Sequence, residues 1–284
     1  MPSLRDLKRR ITSVKKTRQI TRAMRMVAAA KLRRAQDRIF RARPYASRMA
    51  ATLRDVVSAS TDLEHPLLIP RDPVKVVELI VISSDRGLAG AFSANVNKHA
   101  QRLLALRERE LQQAVLHLVG RKAIEFFRRR RPQQVRIASI FGEPSYDRAA
   151  LIAKELADRY VAGEIDEAIL VYSEFVSALS QVPRDVRLLP FVPEKAEGEV
   201  VPFSAEPDLG KLLSALVPKT LEVAIYRAML ESQAGEHAAR MTAMEAATRN
   251  TEDMIGSLTL RYNRARQAAI TRELVEIITG AEAL

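Results

Sequence analysis

The 284-residue chain has no cysteine and no tryptophan. Without cysteine there are no disulfides, no thiolate metal sites and no thiol redox control, and the composition fits a reducing compartment. Aromatic residues make up only 5% of the chain, and the N-terminal segment offers just Phe40 and Tyr45 as stacking platforms for bases. No apolar run reaches the ~20 residues that cross a bilayer as a helix. The start, Met1-Pro2-Ser3-Leu4-Arg5-Asp6, leads directly into a helical pattern and lacks the apolar core of a secretory signal. The histidines His65, His99, His117 and His237 are scattered without metal-ligand spacing and read as surface or packing residues. Neither G-x-G-x-x-G nor G-x-x-x-x-G-K-[ST] occurs, and there is no nucleophile elbow.

What is abundant is positive charge, and it is concentrated. The chain carries a formal net charge of +12. Residues 1–54 hold 17 Lys and Arg against two acids, Asp6 and Asp37, while the remainder is slightly acidic. A basic segment of this kind calls for an acidic protein surface, a nucleic acid or an anionic membrane as partner.

That segment is also free of glycine. Ser3 followed by Asp6 forms a capping-box pattern. Apolar and small residues then recur at alternating three- and four-residue steps: Leu4, Leu7, Ile11, Val14, Arg18, Thr21, Arg25, Ala28, Leu32, Ala35, Ile39, Ala42, Ala46, Met49, Leu53 and Val56. A period of about 3.5 predicts a coiled-coil helix over 3–58, roughly 80 Å long, with Pro44 bending it locally. The C-terminal stretch 208–279 mirrors it through Leu216, Thr220, Val223, Arg227, Leu230, Ala234, His237, Met241, Met244, Thr248, Thr251, Ile255, Leu258, Tyr262, Ala265 and Ala269. Asp208 is placed to cap it, Pro218 marks a kink or restart, and Gly280 is positioned as its C-terminal stop. The seam is rich in Ala, Thr and Met, so the helices approach closely but bury little area. Gly235 and Gly256 cost about 1 kcal/mol each against alanine in a helix interior, and the pair calls for support from outside.

Between the two lies a different texture. Val74–Ile82 reads as a buried strand, Ser83–Gly90 as a turn, and a helix runs from there to about Glu110. Strands at 114–119, 135–141, 167–172 and 186–189 alternate with helices at 122–130 and 149–162, which predicts an α/β sheet layer. Pro190–Pro207 reads as a linker. The expected architecture is α/β: a long antiparallel coiled coil of N- and C-terminal helices (1–60 and 208–284) plus a central Rossmann-like α/β domain (74–205). The turn Ser84-Asp85-Arg86-Gly87-Leu88-Ala89-Gly90 lacks phosphate-loop spacing and reads as structural. The run Arg128–Arg131 reads as a solvated helix end complementing the dipole.

Three functional readings remain at this point. The first is a catalytically bare, force-transmitting protein. The second is a nucleic-acid-binding coiled coil, although the charges lie all around the helix and no recognition motif occurs. The third is a nucleotide-using α/β enzyme.

Three motifs narrow the choice. Ile20-Thr21-Arg22-Ala23-Met24-Arg25-Met26-Val27-Ala28-Ala29, Ser84-Asp85-Arg86-Gly87-Leu88, and Tyr262-Asn263-Arg264-Ala265-Arg266-Gln267-Ala268-Ala269-Ile270-Thr271-Arg272-Glu273-Leu274 stand in order along the whole chain. They resemble the N-terminal, first-turn and C-terminal signatures of the γ subunits of F-type ATP synthases.

The resemblance implies a central rotor shaft, non-catalytic in itself and without cofactor or metal. Its coiled coil would lie inside an α3β3 hexamer and its α/β domain would sit at the membrane-proximal end, on the c-ring with the ε subunit. Proton-driven rotation of the ring would drive the catalytic β subunits in turn. It implies no nucleic-acid partner and membrane contact only through the c-ring. It further implies β-subunit contacts by Met24, near an acidic loop, and by Arg240, Gln267, Thr271 and Glu273 as a polar catch. Each of these is also placed as an exposed helix residue or, for Met24, a packing residue. With no transit-type leader, a bacterial form is expected, peripheral on the cytoplasmic face of the inner membrane. Ala89 and Ala91 depart from the family's common Cys and Gly. Gly235 and Gly256 stand where helix-favouring or polar residues are usual, which implies a softened shaft.

Overall fold

The computed structural model describes residues 3–58, 65–110, 112–191 and 209–282. Its first helix, α1 (Leu4–Ser58), starts on the expected capping box. The Asp6 amide donates to Ser3 Oγ at 3.2 Å, and Ser3 donates back to Asp6 Oδ2 through its amide at 3.3 Å and its hydroxyl at 2.7 Å. These bonds hold the Asp6 carboxyl below its ordinary pKa.

The order of the remaining elements is β1 (Val76–Ile82), α2 (Phe92–Arg109), β2 (Gln113–Val119), α3 (Arg121–Arg130), β3 (Val135–Ser139), α4 (Tyr146–Val161), β4 (Glu167–Phe175), β5 (Gln181–Leu189) and α5 (Leu209–Glu282). Helix α1 runs through Pro44 and α5 runs through Pro218. Helix α5 also continues past Gly280 to Glu282, so that glycine is not its stop. The expected cap Asp208 and most of the expected linker, 192–207, lie outside the described residues.

The chain divides into two compact units, residues 1–28 with 240–284, and residues 29–239. The first consists of the opening of α1 and the last part of α5. Its α1 residues Leu7, Thr21 and Ala28 are buried, as are Met244 and Thr251 of α5. Thr248 Oγ1 reaches Thr21 Oγ1 at 2.9 Å, so small polar side chains form one layer of this seam. Every predicted seam position of α1 is buried or half-buried, and so is every one of α5 from Ala234 onward. Such a stripe is what a 3.5-residue period produces when one helix packs along another.

The second unit is built on a five-stranded sheet of order β3-β2-β1-β4-β5. Strands β1 to β4 are mutually parallel, and β5 closes the edge antiparallel to β4. Asp166, just before β4, accepts the Lys75 and Val76 amides, each at 2.9 Å, and pins the start of β1 beside β4.

Two-residue alternation sends side chains to opposite faces. Val77, Leu79 and Val81 of β1 join Leu116, Leu118, Ile169 and Val171 in a core with Val96 and Leu104 of α2 and Phe127 of α3. Ile80 and Ile82 join Leu170 and Tyr172 on the other face, under Leu156 and Tyr160 of α4. Leu53 and Val56 of α1 and Leu213, Val217, Leu221 and Ile225 of α5 enter that same core. Within this unit the two long helices run antiparallel. Ile39, Ala42 and Ala46 share a groove with Leu230, Tyr226 and Val223, while Leu53 and Val56 share a core with Val217 and Leu213. Both faces of the sheet are therefore covered, as a parallel sheet requires.

Candidate partner interface

All five residues expected to touch a partner fall in the unit of residues 1–28 and 240–284. Met24 and Arg240 are half-buried, whereas Gln267, Thr271 and Glu273 are exposed. Gln267 and Thr271 lie one turn apart, and Thr271 Oγ1 donates to the Gln267 carbonyl at 3.0 Å. That bond uses the Gln267 main chain and leaves its side-chain amide available to a partner.

The same stretch of α5 carries a feature that the sequence pattern did not bring out. Ile270, Leu274, Val275, Ile277 and Ile278 are each at least half exposed. Five large apolar side chains within three turns of a helix are more than the scattered exposure expected of a monomer's surface. They come after the last seam residue, Ala269, and fall outside a reading that looks for one stripe. The available signal was the switch from small seam residues to Ile, Leu and Val at the chain's end. On α1 of this unit, Arg5, Lys8, Arg9 and Lys16 line one shallow concavity with Thr12 and Ser13. The unit thus combines a cationic surface with an apolar helix end, and both suit a protein partner that is acidic in one region and apolar in another.

The unit of residues 29–239 shows why the middle motif is structural. Asp85 sits in the turn after β1. Its Oδ1 accepts the Arg121 and Phe141 amides, each at 3.0 Å, and its Oδ2 accepts the Gly142 amide at 2.8 Å. One carboxylate therefore ties together the loops that leave β1, β2 and β3. Partial burial pushes its pKa up, but the three amides and Arg121 outweigh that and hold it below the ordinary value. Gly120 approaches the same turn at φ +108°, where a Cβ would lie 2.2 Å from the Ser83 carbonyl oxygen. The motif is a brace, and both Asp85 and the glycine facing it are fixed by backbone geometry.

Other ionisable groups are engaged structurally. Glu78 is fully buried on β1 and meets Arg159 of α4 and His117 of β2, the latter at 3.6 Å. His99 meets Asp185 at 2.7 Å. The Leu67 amide donates to His65 Nδ1 at 3.2 Å. Arg131 forks onto Glu108 at 3.0 and 3.2 Å, and Arg130 stacks over Phe126 at 4.0 Å. An apolar groove of about 390 Å3 runs between Ile39, Tyr45, Tyr146, Val223, Tyr226 and Leu230. Arg43, Lys219 and Arg227 also line it, and the last two are paired with Glu222 and Glu231. No group of three or more His, Asp or Glu able to hold a metal ion occurs among the described residues. Nor is any helix of the described residues long and apolar enough to cross a membrane.

Two long terminal helices, a doubly covered α/β sheet, structural ion pairs and a partner surface near the chain ends define a helix-paired subunit of a larger assembly. Comparison with known proteins makes this specific. The family model described as ATP synthase matches residues 3–284. The ATP synthase gamma chain of Anaeromyxobacter sp. (strain Fw109-5) is 49% identical over 290 aligned residues, covering 100% of both chains. That of Geobacter metallireducens is 48% identical, covering 100% of this chain and 99% of its own. Among solved structures, a chain of the Euglena gracilis mitochondrial ATP synthase (OSCP/F1/c-ring, rotational state 3) superposes with a TM-score of 0.66 at 20% identity, covering 99% of this chain and 94% of that one. The chain belongs to the ATP synthase gamma-chain family.

Proposed function

We propose that the chain turns inside an α3β3 hexamer and passes rotation of a membrane c-ring to the catalytic β subunits, with an ε subunit as its companion on the rotor. In this reading residues 1–60 and 208–284 form the antiparallel shaft, and residues 74–205 form the α/β domain at the membrane-proximal end. The chain works as a peripheral protein on the cytoplasmic face of a bacterial inner membrane and meets the membrane only through the c-ring.

The observation that carries the reading is the pairing of a cationic helix surface with an exposed apolar helix end in one unit. A shaft needs its tip held in a bearing but free to turn. Apolar contacts supply that, because they are non-directional and do not lock one angle. Charges along the shaft attract an acidic sleeve and fall off smoothly with rotation. Met24, Arg240, Gln267, Thr271 and Glu273 are the residues assigned to the β-subunit contacts.

The test is to mix the purified chain with matching α and β subunits, resolve complexes by size exclusion and assay ATP hydrolysis. One copy of the chain joins three α and three β, and hydrolysis rises well above that of α and β alone. The chain by itself hydrolyses nothing. Alanine at Gln267, Thr271 or Glu273 changes turnover of the complex while leaving the isolated chain's unfolding midpoint unchanged. Failure to join α and β, with formation of a stoichiometric nucleic-acid complex at physiological salt, would replace this reading with the nucleic-acid one.

A further inference from the structure

We propose that the crevice where doubly wound sheets ordinarily bind a ligand is, in this protein, the seat that grips α5, and that Gly235 is the positioning residue that sets it. The proposal rests on the rotor reading above, for which it supplies the point where the α/β domain and the C-terminal helix are locked to turn together.

The topology locates the crevice. From β1 the chain winds outward to β2 and β3, then crosses back to β4 on the other side of β1. The order reverses between β1 and β4, and the space beyond the C-terminal ends of those strands is the usual ligand site of such sheets. Here it is occupied by α5. The amide of Ser173, near the end of β4, donates to Ser232 Oγ at 3.4 Å. Gln233 Nε2 donates to Glu143 Oε2, in the loop after β3, at 3.2 Å. Ala239 packs against Ala89 and Phe92 in the segment after β1. The helix therefore touches the C-terminal part of β4 and the segments that lead out of β1 and β3. Every residue of α5 from Ala228 to Glu236 is buried, on all sides of the helix. Tyr172 lies beneath this stretch, and the pKa of its hydroxyl is pushed up to about 12, first by burial and then by Glu231.

Gly235 is where the approach is closest. A Cβ there would lie 3.0 Å from Phe92 Cε2, 3.4 Å from Gln181 Cγ and 3.6 Å from Ser173 Oγ. Gly256, the other glycine deep in α5, has nothing within 4 Å of the same position. A helix-interior glycine is less favourable than alanine. At Gly256 no contact offsets that, while at Gly235 the missing side chain admits the Phe92 ring and the end of β4. Gly235 is therefore a packing residue and not a softening of the helix. Two polar pairs close to it in sequence, Ser232 with Ser173 and Gln233 with Glu143, resist rotation of α5 about its own axis.

The experiment uses the complete ATP synthase in sealed vesicles, with ATP hydrolysis and hydrolysis-driven proton pumping measured on the same preparation. Gly235→Leu is expected to leave hydrolysis within twofold of the parent and to lower protons pumped per ATP at least twofold. It should also speed amide hydrogen exchange at Ser173 and along 228–239. If Gly235→Leu does not assemble, Gly235→Ala is read instead. Its partial loss of pumping per ATP is expected to recover when Phe92→Leu makes room for the added methyl. Normal pumping per ATP in the Gly235 variant, or no recovery with Phe92→Leu, would overturn the proposal. Failure of the unmutated chain to assemble or to couple would instead sink the rotor reading on which it rests.

Discussion

Replacing Asp85 with alanine should weaken the unit of residues 29–239 by about 2–3 kcal/mol. The carboxylate accepts the amides of Arg121, Phe141 and Gly142 at 2.8–3.0 Å. A hydrogen bond to a charged acceptor contributes roughly 1.5–3 kcal/mol, and an amide left without a partner costs about 1–3 kcal/mol when buried. The bonds to Arg121 and Gly142 are exposed and that to Phe141 is only partly buried, so water replaces each in part and about 1 kcal/mol or a little less for each is the appropriate scale. For a domain of 150–250 residues that corresponds to a fall in Tm of about 4–12 °C. Asp85→Asn should fall between the parent and alanine, because its carbonyl keeps one side of the brace and its NH2 group meets an amide donor on the other. The pH dependence has a definite sign. The folded carboxyl lies below its ordinary pKa, so its contribution is complete above the unfolded value of about 3.9 and is lost as pH falls through the folded one. Alanine should remove that part of the acid sensitivity. Urea unfolding followed by circular dichroism at neutral pH and at acid pH measures both effects. An Asp85→Ala midpoint equal to the parent's, or an Asn variant weaker than alanine, would refute the account of the brace.

Gly120→Ala places a methyl 2.2 Å from the Ser83 carbonyl at a φ of +108°, and should cost at least about 3 kcal/mol in the same unfolding assay. Tyr146 donates to Glu222 and accepts from Lys219, so Tyr146→Phe should cost about 1–2 kcal/mol in urea unfolding. Ile277 is 71% exposed and Ile278 is 50% exposed. Their replacement by Glu should leave the isolated chain within about 0.5 kcal/mol of the parent. In the reconstitution assay the same change should weaken association with α and β, because it sets a charge against an apolar bearing.

The period of the terminal helices was legible because helix pairing writes itself into sequence as a stripe. Leu7, Thr21, Ala28, Leu32, Ala35 and Ile39 are all buried where that stripe put them. The capping box was legible because its bonds are local. Strands β1 to β4 were found to within three residues at each end, since alternation of apolar side chains marks both faces of a covered sheet. Strand β5 begins at Gln181, ahead of the expected 186, because its first residues are largely exposed and lack that signal. Other features depend on contacts between distant parts of the chain. Gly235 looked like a weak point in a helix because its partners, Phe92 and Ser173, are far away in sequence. Asp85 gave no sign of the three amides that it gathers, because two of them belong to a loop more than fifty residues on. Arg227 was placed in the seam by spacing, yet it is exposed and reaches Glu231 at 2.8 Å. Between Ala228 and Glu236 the helix is buried all round, so no single stripe describes it.

The central claim is that this chain turns. The most direct measurement is single-molecule rotation. Complexes of the chain with α and β are fixed to a surface through the β subunits, a visible probe is attached to an exposed position of the α/β domain such as Leu179, and ATP is added. The account predicts that the probe rotates stepwise in one direction, at a rate set by ATP concentration, and stops when ATP is removed. A probe that stays fixed while the same complexes hydrolyse ATP would contradict it.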